Sequence, residues 1–88
     1  MKPTTPILYL FTLPKCAACA AVEPIAAAAC RIYGVALRVV DAQSDLALAS
    51  KYHVQAAPTL VLQTPTHFRV TTTKVGKRAL TRWIEENL

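Results

Sequence analysis

The chain has 88 residues, 53% of them hydrophobic and 17% charged, with only two glycines. That composition gives a single globular domain over residues 1–88, with ample apolar surface to bury and no tract biased enough to stay disordered. Lysine and arginine exceed aspartate and glutamate by 10 to 5, a net charge of +5, which draws in acidic partners or small anionic thiols. The basic residues are dispersed, without an RNA-binding aromatic signature or a metal finger, so they read as a solvated face, and nucleic acid is not expected as a partner.

The opening residues contain a decoy. Lys2, the apolar stretch from Ile7 to Leu13 and the small Ala18 and Ala20 imitate a secretory leader, but Lys15 intrudes before the supposed cleavage site and the apolar piece serves as a strand. Three cysteines are an odd number and too few for a secreted disulfide scaffold. Glu23 and Pro24 interrupt the longest apolar run before the ~20 residues that a bilayer requires. The expectation is a cytoplasmic monomer with no membrane partner.

Ile7 to Thr12 (ILYLFT) is apolar on both alternating faces, as in a central strand covered on both sides. From Cys16 to about Tyr33 the chain is rich in alanine and free of glycine until Gly34, which predicts a helix with Gly34 at its C-terminal cap. Pro24 removes one hydrogen bond inside that helix and is expected to bend it. Ala36 to Asp41 is the second strand, and Ser44 and Asp45 start a short helix running to about Tyr52. Thr59 to Gln63 and Phe68 to Thr73 form a hairpin around Pro65. Leu80, Trp83, Ile84 and Leu88 make one apolar stripe on a closing helix from about Lys77. The order is β-α-β-α-β-β-α: an α/β fold with a mixed four-stranded sheet and helices on both faces.

The chemistry concentrates in Pro14-Lys15-Cys16-Ala17-Ala18-Cys19. Cysteines three apart at a helix start have Cβ atoms about 5 to 6 Å apart, so a disulfide can open and close with little backbone movement. Cys16 sits where unpaired backbone N–H groups, the helix dipole and Lys15 favour a thiolate, which makes it the nucleophile. Cys19, one turn further in and less exposed, suits a resolving thiol. Zinc needs four ligands, and only Cys30, His53 and His67 remain as further donors; Cys30 lies about 16 Å along the helix from Cys19 and cannot share a metal with the pair. A dithiol pair opening a helix after a strand favours redox chemistry, with a module binding metal or an iron-sulfur cluster as the alternative and a redox-inactive adapter as a third reading.

These segments resemble the thioredoxin and glutaredoxin superfamily. Phe11 to Cys19 is similar to the aromatic strand end, short proline loop and cysteine pair of glutaredoxins, and Pro24 matches the helix proline of thioredoxins. Lys51 to Leu62 resembles the thioredoxin segment in which a cis-proline begins a strand, and Val75-Gly76-Lys77 the glycine that precedes the last helix. The resemblance implies a small, glutaredoxin-sized thioredoxin-like fold and a dithiol-disulfide oxidoreductase that reduces cytosolic protein disulfides in electron transport and redox homeostasis. It implies a substrate groove at Ala57 and Pro58 beside Lys15 and Cys16, no bound cofactor, and glutathione or a thioredoxin reductase as external electron donor. Leu10 and Val39 stand where thioredoxins keep a buried aspartate and its lysine, and Ala17-Ala18 is unlike the usual dipeptides.

The other candidates read structurally: Cys30 as a small buried hydrophobe, Trp83 as the anchor of the last helix, His53 as a surface histidine and Asp41 as a turn residue. Lys77, Arg78 and Arg82 read as a solvated face.

Overall fold

In the computed structural model, which describes residues 5–88, the chain runs β1 (Ile7–Thr12), α1 (Ala17–Tyr33), β2 (Ala36–Asp41), α2 (Leu46–Lys51), β3 (Thr59–Gln63), β4 (Phe68–Thr71) and α3 (Lys77–Asn87). Lys2, of the leader-like opening, lies outside the described residues. The strands form one sheet in the order β2-β1-β3-β4. β1 pairs with β2 in parallel, Ile7 against Ala36 through Thr12 against Asp41, as a helical crossover between consecutive strands requires. β3 runs antiparallel to β1 and to β4.

Helix α1 starts one residue later than its composition suggests, because Cys16 has extended backbone and acts as the N-cap. It ends at Gly34, whose φ of 66° is left-handed and lets the Gly34 and Val35 N–H groups both donate to the Cys30 carbonyl. The helix continues through Pro24 without interruption. Asp45 caps α2 by accepting from the Leu48 N–H at 3.0 Å. β4 stops at Thr71 rather than Thr73: the Thr71 hydroxyl accepts from the N–H groups of Thr73 and Lys74 at 3.3 Å each, and this turn overrides the strand propensity of the three threonines.

The central strands bury both faces. Leu8 and Leu10 of β1 and Leu60 and Leu62 of β3, all 0% exposed, pack against Val22, Ala26 and Cys30 of α1 and Leu80 and Ile84 of α3. Trp83 is half-buried against this cluster, in keeping with an anchoring role. On the other face Tyr9, Phe11, Val40 and Val61 meet Ala49 and Tyr52. Tyr52 lies 5.0 Å centroid to centroid from Phe68, edge to face. Each fully buried leucine or isoleucine contributes about 1.5–3 kcal/mol, so the two clusters fix the end of β1, from which the cysteine loop departs.

Candidate active site

Four residues, Leu13 to Cys16, carry the chain from the end of β1 to the first turn of α1. Lys15 turns it with a left-handed backbone, φ 59°, and Cys16 follows at φ −96°, ψ 100°. The Cys16 Sγ accepts a hydrogen bond from the Cys19 N–H at 3.1 Å. A sulfur thus occupies the place where a serine or aspartate oxygen normally satisfies a free N–H at a helix start. The positive end of the α1 dipole and the adjacent Lys15 bear on that sulfur, and the first turn contains no acidic residue.

Cys16 and Cys19 are joined by a disulfide with Cα atoms 5.2 Å apart. Their surroundings differ: Cys16 is half-buried at the surface, whereas Cys19 is 3% exposed. A groove runs beside the pair, walled by Thr12 and Leu13 from the end of β1, Lys15 and Cys16 from the loop, and Cys19 and Glu23 from α1. In the sequence Glu23 stands out only as a break in an apolar run. Its spacing, four residues after Cys19 and seven after Cys16, is the signal that places it on the cysteine stripe of the helix.

Ala57 and Pro58 do not line this groove. Thr59 pairs with Phe11, so the cis Ala57–Pro58 bond leaves the sheet at the end where Thr12 leads to the cysteines. The Thr59 hydroxyl donates to the Ala56 carbonyl at 2.6 Å and ties down that turn. Between the two segments lies a second groove, walled by Leu13, Ala42, Leu46, Val54 and Ala56, with two glutamines and no charged side chain. Leu13, 37% exposed, belongs to both grooves, and Leu46 is 70% exposed. Sequence reasoning missed this apolar surface, because neither leucine belongs to a periodic stripe.

The remaining candidates fall away from the pair. Cys30 is 3% exposed inside the core, where burial pushes its thiol up to about 11. His53 is exposed. Asp41 accepts from the Gln43 N–H at 2.8 Å and closes the turn after β2. Lys77, Arg78 and Arg82 are exposed along α3, and Arg82 pairs with Glu86 at 2.9 Å. Among the described residues no three His, Cys, Asp or Glu side chains converge on a point that could hold a metal ion.

The sequence model of the thioredoxin family matches residues 1–86. A search of curated proteins returns no match. Among solved structures, a single-site mutant of thioredoxin from Halobacterium salinarum NRC-1 superposes with a TM-score of 0.84 at 27% identity, covering 94% of this chain and 74% of that one. A malarial protein gives 0.81 at 25% identity over 96% of this chain and 98% of the other. Thioredoxin-2, a component of the malaria parasite protein secretion machinery, gives 0.80 at 25% identity, covering 93% and 82%.

Proposed function

This chain belongs to the thioredoxin family and is a thiol-disulfide oxidoreductase, and on that premise we propose that it reduces disulfides of protein substrates in the cytoplasm, acting as a monomer without a bound cofactor. The Cys16 thiolate attacks one sulfur of the substrate disulfide, and the other leaves as a thiolate. Cys19 then attacks Cys16, the substrate is released reduced, and the protein is left with the Cys16–Cys19 disulfide. An external donor, glutathione or a thioredoxin reductase, returns the two electrons.

The observation that carries this reading is the asymmetry of the pair: Cys16 is the accessible sulfur at a helix cap, and Cys19 is 3% exposed behind it. An accessible thiol favoured as the thiolate suits attack on an outside disulfide, and a sheltered one suits attack on its neighbour. The uncharged groove that shares Leu13 with the cysteine groove supports a protein substrate over a small charged thiol, since a polypeptide can lay an apolar side chain there. The backbone at Ala57 and Pro58 would pair with that polypeptide, and Lys15 would flank it.

Reduction of a model protein disulfide tests this with Cys16→Ser and Cys19→Ser. The wild type should turn over, Cys16→Ser should not, and Cys19→Ser should stop at a mixed disulfide. Absence of wild-type turnover, or turnover by both variants, would refute the reading. Running the assay with glutathione and its reductase against thioredoxin reductase identifies the donor.

A further inference from the structure

We propose that Glu23 is the proton acceptor for Cys19 when Cys19 resolves the mixed disulfide, an inference that rests on the resolving role given to Cys19 above. The need for an acceptor follows from burial. Cys19 must attack as a thiolate, yet it is 3% exposed, and desolvation disfavours the charged form. On the sheet face beneath α1, Leu8, Leu10, Leu60 and Leu62 are apolar and fully buried, and the strand carboxylate on that face, Asp41 in register with Thr12 at the end of β2, already accepts the Gln43 N–H at 2.8 Å. The groove side offers one carboxylate, Glu23.

Helix geometry brings the two together. At ~100° per residue Glu23 lies about 40° around α1 from Cys19 and one turn below it, with Cβ atoms about 6 Å apart. Cα–Cβ bonds tilt toward the helix N-terminus, so the Glu23 side chain projects toward the turn that carries both sulfurs. Its two methylenes and carboxyl span much of that gap, and one groove water can bridge the rest. The other titratable groups facing the groove are Lys15 and Cys16; β1 contributes only Thr12 and Leu13.

The step balances as follows. The Cys19 S–H bond gives its proton to the Glu23 carboxylate, while Cys19 Sγ forms a bond to Cys16 Sγ. The bond between Cys16 and the substrate sulfur breaks, and that sulfur leaves with the electron pair and takes up the proton. The two cysteines are oxidised to the disulfide and the substrate is reduced, with no further reactant.

Charge alone and proton transfer predict opposite effects of removing this carboxylate. As a mere negative charge, Glu23 opposes the Cys19 thiolate, and Glu23→Gln would speed resolution. As proton acceptor it is needed, and Glu23→Gln slows resolution about tenfold or more. Rapid mixing of the reduced protein with one equivalent of Ellman's reagent separates the steps: the first thionitrobenzoate released reports attack by Cys16, the second resolution by Cys19. The expected result is a first phase that is not slowed in Glu23→Gln and a slowed second phase that climbs about tenfold per pH unit with the Cys19 thiolate fraction, with Glu23→Asp recovering part of the rate. A second phase in Glu23→Gln equal to or faster than wild type overturns the inference while leaving the resolving role of Cys19 intact. Absence of a second phase in the wild type refutes that role and the inference with it.

Discussion

Replacing Cys30 by alanine should leave the protein less stable at neutral pH and more stable at high pH. Cys30 is 3% exposed among Val22, Ala26, Leu80 and Ile84, and burial raises its thiol from 9.0 to about 11. A group whose folded value is raised contributes stability that is complete below the unfolded value and is lost as pH rises through the folded one. Here the window runs from about pH 9 to pH 11. Midway, at about pH 10, the unfolded thiol is mostly ionised and the folded one mostly protonated, and the loss is about 1 to 2 kcal/mol; it approaches about 3 kcal/mol above pH 11. The alanine variant lacks that loss and gives up only the packing of one sulfur, about 1 kcal/mol. Tyr33, raised by burial and then by Glu85, is present in both proteins and cancels in the difference. Urea unfolding of the oxidised wild type and variant at pH 7 and pH 10 measures the gap. Parallel stability-versus-pH curves for the two proteins would refute the burial argument.

Two further outcomes follow from the site. Lys15→Gly and Lys15→Ala both remove the charge beside Cys16 and should slow its alkylation by iodoacetamide about two- to threefold at low salt, an effect that fades as salt is added. Glycine tolerates the left-handed backbone at this position, so Lys15→Gly should exceed Lys15→Ala by about 1 kcal/mol in urea unfolding. Leu46→Glu puts a charge into the apolar groove at a residue 70% exposed. It should lower kcat/KM for a protein disulfide about tenfold, a loss of about 1.4 kcal/mol of binding, and leave reduction of a small disulfide unchanged.

The fold was legible wherever one physical signal dominated. β1, β2 and β3 fall where their apolar and β-branched runs lie, and Gly34 ends α1 because its left-handed backbone, cheap for glycine, turns two N–H groups onto the Cys30 carbonyl. The thioredoxin likeness was readable from the cysteine pair and the proline segment together, and the family match agrees with it. What escaped is set by tertiary geometry. Thr71 to Thr73 look like strand, but a hydroxyl already engaged with two backbone N–H groups ends β4 early. His67 sits in the hairpin with its ring facing the Asn87 carbonyl at 3.1 Å, across 20 residues of sequence, a contact no local pattern encodes. The alanine-rich run carries the predicted helix back to Cys16, which is instead its cap, since a sulfur cap has no compositional signature. Glu23 and Leu13 gained meaning only when two grooves could be seen to meet at one loop.

The atom proposed to react, Cys16 Sγ, is also a structural acceptor. The sulfur that closes the first turn of α1 by accepting the Cys19 N–H accepts most strongly as a thiolate and more weakly once it shares a covalent bond with another sulfur. Each chemical state of Cys16 therefore sets how firmly the helix begins, and the Cys19 amide registers the redox cycle from within the backbone. In a domain of 88 residues, the proposed nucleophile and a helix cap are one atom, so under that proposal a substrate captured on Cys16 would also loosen the turn that delivers Cys19 to release it.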